Sequence, residues 1–137
     1  MKICHMKELT SSKLTWREEK RAPCEMRRNY DNVVDGNIVY IMKSSTVYIY
    51  SYDVISDSWS QLPDCVHSNG SIAIINGWLT TVGGSSYQYS NELFSLTGKG
   101  SGRRWTQQFP PMPTKRMRTT SLCTGTALIV AGGWDGE

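Results

Sequence analysis

The residue types that carry catalysis and metal binding are few in this chain and widely spaced. Its two histidines are His5 and His67, and its four cysteines are 20, 41 and 58 residues apart. These spacings produce no Cys-x2-Cys or Cys/His zinc pattern. Two such distant histidines also do not predict a copper site or an acid–base pair. We therefore expect no catalytic residue, no metal site and no cofactor.

The cysteines indicate a compartment rather than a reaction. They are Cys4, Cys24, Cys65 and Cys123. A secreted domain of this size could join them in two disulfides. The N-terminal sequence Met-Lys-Ile-Cys-His-Met-Lys, however, has no apolar segment of the kind that a signal peptide needs. No apolar run approaches the roughly 18 residues of a membrane helix either. We expect reduced thiols in a cytoplasmic protein, with the nucleus as the alternative compartment and no membrane partner.

A glycine-rich segment, residues 98–103, suggests a phosphate-binding loop at first sight. It reads Gly-Lys-Gly-Ser-Gly-Arg. The third glycine of a dinucleotide-binding motif would fall at position 103, which is arginine, and no Gly-Lys-Ser/Thr follows. The segment also precedes a predicted strand rather than a helix. Nucleotide binding is therefore not expected.

The basic excess is small and unevenly distributed. The chain of 137 residues has a formal net charge of +3. Residues 1–28 have a net charge of +4, and the remaining residues have a net charge of −1. Four glutamates interrupt this basic region, so it predicts a solvated surface rather than a stripe for nucleic acid. The short run Lys115-Arg116-Met117-Arg118 is better explained as a turn between repeats than as a nuclear signal.

The informative feature is an internal repeat, which shows how the chain positions these side chains. Tryptophans recur at intervals of 43 and 46 residues, and turn glycines before apolar runs recur at intervals of 41 and 48 residues. Two of the apolar runs end in a glycine pair, and a prolyl segment follows each tryptophan. The markers are Trp16, Trp59 and Trp105, then Gly36, Gly77 and Gly125, then Gly83-Gly84 and Gly132-Gly133.

Each copy of the repeat reads as β-structure. Asp35-Gly36 and Asn76-Gly77 between apolar runs are strong signals for two-residue hairpins, whose turns favour positive φ. The predicted hairpins pair residues 30–34 with 38–42, 71–75 with 78–82, and 119–123 with 127–131. Further strands are expected at 46–52, 58–62, 91–96 and 103–109. The pattern predicts an all-β chain.

This order of markers resembles the kelch repeat. The resemblance rests on the segment from Ile74-Ile75-Asn76-Gly77 to Gly83-Gly84, on Tyr52-Asp53 six residues before Trp59, and on the prolyl turn 109–113 before Arg116. Nine residues before the turn glycines stand Arg27, Ser68 and Arg116. The first copy departs from the pattern with Met42-Lys43 in place of the glycine pair, and the second lacks Tyr-Asp near residues 95–97.

The resemblance implies a β-propeller built from four-stranded blades. It covers residues 13–137 and leaves residues 1–12 as an N-terminal segment open to disorder. The repeats amount to about two and a half blades: a lone fourth strand around Trp16, two full blades and two strands of another. A closed ring needs more blades. We expect an incomplete ring that belongs to a longer protein or is completed by another copy.

The family's usual role implies a protein–protein interaction module that binds a partner protein or peptide through its inter-strand loops. Two alternatives remain: the substrate-recognition part of a ubiquitin-ligase adaptor with a separate BTB or F-box domain, and a fragment of a galactose-oxidase-like propeller. The candidate partner-binding residues are Arg27, Ser44, Ser45, Ser85, Ser86, Tyr87, Tyr89 and Arg116. The expected structural markers are Trp16, Trp59, Trp105, Gly83, Gly84, Gly132, Gly133, Tyr52 and Asp53.

Overall fold

The computed structural model describes residues 4–7, 15–18, 20–24 and 30–136, the first two ranges as backbone strands. Apart from a single 3-10 turn at Gly100–Gly102, the regular structure of this part of the chain is β. The strands are β1 (Cys4–Lys7), β2 (Thr15–Glu18), β3 (Tyr30–Asp35), β4 (Ile38–Lys43), β5 (Ile49–Asp53), β6 (Ser58–Gln61), β7 (Ser71–Ile75), β8 (Trp78–Ser85), β9 (Tyr89–Thr97), β10 (Arg104–Thr106), β11 (Met117–Cys123) and β12 (Leu128–Trp134). The all-β prediction is confirmed.

The strands form four antiparallel sheets in chain order. Strands β3 to β6 form one four-stranded sheet, blade 1, and strands β7 to β10 form a second, blade 2. Strands β11 and β12 form the C-terminal hairpin, and β1 and β2 form the N-terminal strand pair. None of these sheets closes into a ring, which agrees with the predicted incomplete propeller.

The prediction of a lone strand around Trp16 was wrong. Strand β2, which contains Trp16, pairs with β1 from Cys4↔Glu18 to Lys7↔Thr15. The apolar pattern of β1 is too short to have signalled a strand. Because β1 lies within residues 1–12, at least these four residues of the N-terminal segment have regular structure. Side chains of β1 and β2, including that of Trp16, lie outside the described residues.

The turns of the first two hairpins differ. In blade 2, Ile75 pairs with Trp78 around Asn76 and Gly77, which have φ of 50° and 79°. This turn has the two positive φ angles predicted from the sequence. In blade 1, Asp35 pairs with Ile38, so the turn residues are Gly36 and Asn37 rather than Asp35 and Gly36. Gly36 thus takes the first turn position, which Asn76 holds in blade 2.

Strand ends differ from the predicted ones where local hydrogen bonds compete with pairing. Strand β5 begins at Ile49 rather than at residue 46 because the preceding residues form a turn. In that turn the Thr46 hydroxyl donates to the Lys43 carbonyl at 2.9 Å and accepts from the Tyr48 amide at 3.2 Å. Strands β8 and β12 instead extend through their glycine pairs, to Ser85 and Trp134.

The Tyr-Asp pair of blade 1 closes the turn between β5 and β6. The Asp53 carboxylate accepts hydrogen bonds from the amides of Ile55 and Ser56, at 2.8 and 3.2 Å. These backbone bonds, with that of Ser56 the larger effect, lower the pKa of Asp53 below its ordinary value. The buried Tyr52 ring lies 4.9 Å from the Trp59 ring on the next strand. The motif therefore fixes a turn and an aromatic pair.

The hydrophobic core lies between sheets rather than inside one. One cluster joins blade 1 to blade 2 and comprises Met42, Ile49, Leu62, Cys65, Ile72, Leu79 and Leu96. A second cluster joins the other face of blade 2 to the C-terminal hairpin and comprises Ala73, Ile75, Val82 and Leu93, with Cys123, Leu128 and Val130 packed against them. Blade 2 is thus covered on both faces.

The described part of the chain contains no helix of the length and hydrophobicity that a membrane span requires.

Candidate functional site

The loops that follow the second strand of each blade and the connections between blades lie at the same end of the sheets. This follows from the antiparallel order, because second and fourth strands run in the same direction and both end there. We call this end the loop face and define it by residues 44–48, 65–69, 86–88 and 112–116. Its parts contact one another through the backbone: the Ser85 amide donates to the Ser68 carbonyl at 2.8 Å, and the Gly84 amide donates to the Arg116 carbonyl at 2.8 Å.

The predicted residues Ser44 and Ser45 converge on Asn69 of the next blade. The Asn69 side-chain oxygen accepts from the Ser44 hydroxyl at 2.9 Å, from the Ser45 amide at 2.9 Å and from the Ser45 hydroxyl at 3.3 Å. Ser45 and Asn69 both have positive φ, 61° and 56°. The serines therefore hold the first loop of the face against blade 2. Asn69 was not among the residues predicted from the sequence, although Asn before Gly is a common signal for positive φ.

The predicted residues Ser85, Ser86, Tyr87 and Tyr89 belong to one short loop. Ser85 is fixed by its backbone pairing with Ser68, and the Ser86 amide donates to the Gln88 carbonyl at 3.3 Å. The side chain of Tyr87 at the tip is fully exposed. The Tyr89 ring lies 5.4 Å from the ring of Trp134, which follows the second glycine pair. Backbone hydrogen bonds and a ring contact therefore hold the loop, and Tyr87 is its one exposed aromatic side chain.

Arg116 lies beside this loop and is oriented by its own hairpin. Its Nη1 donates to the Gly132 carbonyl at 3.1 Å and its Nε donates to the Thr114 hydroxyl at 2.9 Å. The structure thus brings Arg116 together with residues 85–89, while the two serines at 44 and 45 lie one blade away. Arg27, the remaining predicted residue, lies outside the described residues.

The residue equivalent to Arg116 in blade 2 is His67 rather than Ser68. Asn69 and Arg118 both have positive φ, 56° and 54°, and His67 and Arg116 each stand two residues before them. Counting nine residues back from each turn glycine matched Arg116 to Ser68. That match is one residue too late, because Gly77 is the second residue of its turn, so the count starts one residue further along the chain. The side chain of His67 is buried.

His67 forms a pair with Glu92 at the base of the loop. Its Nε2 lies 3.1 Å from a carboxylate oxygen of Glu92, which is half-exposed. The hydrogen bond from His67 is the main cause that lowers the pKa of Glu92. Gln107 and Ser90 also donate to this carboxylate, at 2.8 and 3.3 Å. Glu92 is therefore ionised and oriented at ordinary pH.

Two clefts open on or near this end of the sheets. The smaller, of about 270 Å³, is lined by His67, Ser86, Gln88, Tyr89, Ser90, Asn91, Glu92 and Lys115. The larger, of about 370 Å³, lies where β3, β7 and β11 converge and is lined by Tyr30, Asp31, Met42, Ser44, Asn69, Gly70, Arg118, Thr119 and Thr120. In it the Asp31 carboxylate accepts from the Ile72 amide at 2.7 Å, and burial raises the pKa of Asp31.

Comparison with known proteins bears on the type of blade. No protein-family model matches the chain. A curated relative, "Kelch-like protein terF" of Aspergillus terreus, is 27% identical over 100 residues, which cover 71% of this chain. This similarity and the antiparallel four-stranded sheets agree with the markers read from the sequence. The findings together agree with kelch-type blades of a partial propeller. The match spans 22% of the relative's length.

The glycine pair of blade 2 is required by close backbone contacts at the loop face. A Cβ on Gly83 would lie 2.5 Å from the Arg116 carbonyl oxygen, and one on Gly84 would lie 2.5 Å from the Ser68 carbonyl oxygen. Both residues also have positive φ, 63° and 109°. The pair therefore lets the blade approach its own entry segment and the next hairpin. Gly132 and Gly133 repeat the two positive φ angles.

The described residues offer little for metal chemistry. Within residues 20–24 and 30–136, no group of three or more His, Cys, Asp or Glu side chains is placed to hold a metal ion. Cys24, Cys65 and Cys123 are free thiols. What the loop face and the adjoining strand ends provide instead is an arginine, two tyrosines, a tryptophan and a carboxylate, all but Tyr87 oriented by side-chain hydrogen bonds or ring contacts.

Proposed function

We propose that this chain is a kelch-repeat protein-interaction module that binds a partner protein or peptide through its loop face. The observation that carries the proposal is the loop around Tyr87. The Tyr87 side chain is fully exposed, although the residues on either side of it are held by backbone hydrogen bonds. An aromatic side chain on a rigid base buries a large area on binding and loses little conformational freedom.

The neighbours of Tyr87 are the residue types that dominate binding energy at protein interfaces. Tyrosine, tryptophan and arginine are enriched among such residues, and Tyr89, Trp134 and Arg116 lie together at this end. The adjacent cleft adds the charges of Lys115 and Glu92. A partner segment that lies across Tyr87 would therefore meet a rigid aromatic surface beside a polar pocket.

The proposal also includes a compartment and the absence of enzymatic activity. Among the residues with described side chains, Cys24, Cys65 and Cys123 are free thiols, which fits a reducing compartment, so we propose binding in the cytoplasm. The absence of enzymatic activity stays a prediction, for which metal analysis and an oxidase assay are the direct tests. Stoichiometric copper together with turnover would replace the interaction proposal with the oxidase alternative.

The binding proposal is tested by quantitative affinity capture with the full chain as bait. Tyr87→Ala and Arg116→Ala should each reduce recovery of the same partner. The matched control is Ile55→Ala, because Ile55 is exposed in the β5–β6 turn at the opposite end of blade 1. Equal recovery by all three variants would refute the loop face as the binding surface. Co-recovery of cullin-type ligase components would favour the ligase-adaptor alternative over a simple scaffold.

A further inference from the structure

The smaller cleft at the loop face contains a carboxylate and an ammonium group that do not pair with each other. They belong to Glu92 and Lys115, and among the described residues the ion pair of Glu92 is with His67. Three successive parts of the chain form the walls: the connection that enters blade 2, the loop between β8 and β9 with the start of β9, and the connection that leaves blade 2. We call this cavity the Glu92 cleft.

The Glu92 carboxylate is the fixed charge of the cleft. Its Oε2 lies 3.1 Å from Nε2 of His67 and accepts from the Ser90 hydroxyl at 3.3 Å. Its Oε1 accepts from the Gln107 amide at 2.8 Å. The Glu92 side chain is nevertheless 41% exposed. These bonds therefore hold an ionised group in one orientation while part of it stays open to a ligand.

The carboxylate is not part of the architecture that the two four-stranded blades share. Leu93 of blade 2 and Ile49 of blade 1 are equivalent, because each lies opposite the second-strand residue of the fifth pair from the hairpin turn. The preceding residue is Glu92 in blade 2 and Tyr48 in blade 1. A blade thus forms without an acidic residue at this place, so blade formation alone does not explain Glu92.

The fixed polar groups of the cleft have acceptor positions left. Each carboxylate oxygen accepts about two hydrogen bonds. Both positions on Oε2 of Glu92 are therefore occupied, whereas one position on Oε1 remains. The Asn91 amide nitrogen donates to the Met112 carbonyl at 2.9 Å, so the Asn91 side chain contributes its oxygen as a further acceptor. A ligand that donates hydrogen bonds suits these groups.

The basic side chains nearby do not reverse the sign of this charge. Lys115 is exposed, and its side chain makes no hydrogen bond or ion pair with a described residue. Its flexible ammonium can turn toward solvent, whereas the bound carboxylate of Glu92 stays in place. Arg116 does not line the cleft and is directed to the Gly132 carbonyl and the Thr114 hydroxyl. The cleft therefore favours a cation.

We propose that the Glu92 cleft receives a lysine side chain of the partner protein, whose ammonium group binds the Glu92 carboxylate. This inference rests on the proposed binding function and gives the chemistry of the partner segment. Ser86 and Gln88, on either side of Tyr87, line the cleft. One partner segment can therefore cover Tyr87 and place a side chain in the cleft.

Lysine fits the cleft better than arginine does. A guanidinium group binds a carboxylate most strongly through both oxygens at once, and Oε2 of Glu92 has no position left for it. An ammonium group instead directs single N–H bonds to separate oxygens, such as Oε1 of Glu92 and the side-chain oxygen of Asn91. The Tyr89 ring also lines the cleft and attracts a cation.

The test titrates the full chain with blocked amino acids and follows the backbone amides of residues 86–92 by NMR. N-acetyl-lysine methylamide should shift these signals in a saturable way. N-acetyl-norleucine methylamide, which has the same alkyl stem without the ammonium group, should bind at least about threefold more weakly. The corresponding arginine derivative should also bind more weakly than the lysine probe, and the glutamate derivative should give no saturable shift.

Two variants at the cleft should act in opposite directions. Glu92→Gln keeps the size of the side chain and removes its charge, so the lysine probe should bind no better than the norleucine probe. Lys115→Gln removes a competing ammonium group, so the affinity for the lysine probe should rise about twofold. Lys99→Gln is the matched control, because Lys99 is exposed in the loop at the opposite end of blade 2. It should leave the affinity unchanged.

The results that would overturn the proposal are distinct. They are no saturable binding of the lysine probe, equal binding of lysine and norleucine, tighter binding of the arginine or glutamate probe, or weaker lysine binding by Lys115→Gln. A Glu92→Gln variant that weakened the lysine and norleucine probes equally would show a structural role instead. If that variant does not fold, the wild-type and Lys115→Gln titrations still decide. Because the titration needs no partner, it can fail or succeed independently of the capture experiment with Tyr87→Ala and Arg116→Ala.

Discussion

The Nε1 of Trp105 donates a 2.9 Å hydrogen bond to the carbonyl oxygen of Pro63, 42 residues earlier in the chain. Pro63 lies in the connection that enters blade 2, and Trp105 lies on the outermost strand of that blade. Blade 1 repeats the relationship, because the Trp59 Nε1 donates to the Lys20 carbonyl at 3.1 Å. The recurring tryptophan therefore ties the last strand of a blade to the segment through which the chain enters it.

The Trp105 contact should contribute strongly to stability. Trp105→Ala removes the hydrogen bond and the packing of the indole against the cluster between the blades. We expect a loss of about 2–4 kcal/mol in the free energy of unfolding, measured by urea titration. Trp105→Phe keeps most of the packing and should cost about 1 kcal/mol. Equal losses for the two variants would show that packing contributes nothing beyond the hydrogen bond.

The second glycine of the pair should tolerate no side chain. Gly84→Ala places a methyl group 2.5 Å from the Ser68 carbonyl oxygen at a φ of 109°. We expect a loss of more than about 2 kcal/mol in stability, measured by thermal and urea unfolding. Gly102→Ala is the control, because a Cβ there meets nothing within 4 Å. Its effect should stay within about 0.5 kcal/mol. Similar values for both variants would contradict the close approach.

Asp31 should make the fold less stable as its carboxyl ionises. Burial raises the pKa of Asp31 in the folded chain, so the folded state binds its proton more tightly than the unfolded state does. Its contribution is most favourable below the ordinary aspartate pKa of about 3.9 and is lost as the pH rises through the raised value. Asp31→Asn should flatten this part of the stability profile between about pH 3 and pH 7.

A suitable control for the Asp31 measurement is Asp35→Asn, because Asp35 is exposed at the end of the same strand. The wild-type and Asp35→Asn profiles should run parallel across the acidic range. If Asp31→Asn also ran parallel to the wild type, burial would not govern the ionisation of Asp31.

The cysteines should differ in reactivity. Burial raises the pKa of the Cys65 thiol to about 11, whereas Cys24 and Cys123 are only half-buried. At pH 8 only about one Cys65 in a thousand carries the reactive thiolate, and the sulfur is inaccessible. We expect iodoacetamide, followed by peptide mapping, to label Cys65 after Cys24 and Cys123 in the folded chain. In urea the three sites should react at similar rates. Early labelling of Cys65 would show that the cluster around it opens.

The sequence was sufficient for the architecture because its markers act locally. The Asn76-Gly77 turn, the apolar runs beside it and the recurring tryptophans depend on backbone geometry and pleated packing, which a short segment expresses. Strand limits were less predictable. Residues 46–48 have strand-forming side chains, but the Thr46 hydroxyl binds the Lys43 carbonyl and holds the chain in a turn.

The candidate site was predictable only in part because its contacts connect residues far apart in the chain. Tyr87 and Arg116 stood out as loop residues. The bonds from Ser44 and Ser45 to Asn69 cross 25 and 24 residues, and the His67–Glu92 pair also crosses 25. Nothing in the local pattern around His67 shows that it occupies the position of Arg116. The turn glycine of blade 2 lies one position later in its turn, and this difference alone matched Arg116 to Ser68 instead of His67.

The double coverage of blade 2 has a consequence for how the molecule unfolds. A sheet packed against a sheet on each face can open only when both interfaces break, whereas the C-terminal hairpin, with Leu122 and Ile129 exposed on its outward face, opens by losing one. In a linear array of this kind, stability is a sum of nearest-neighbour interfaces. The backbone amides of β7 and β8 should therefore exchange with solvent more slowly than those of β3 or β12. Local opening then spreads from the outer sheets toward the middle of the arc.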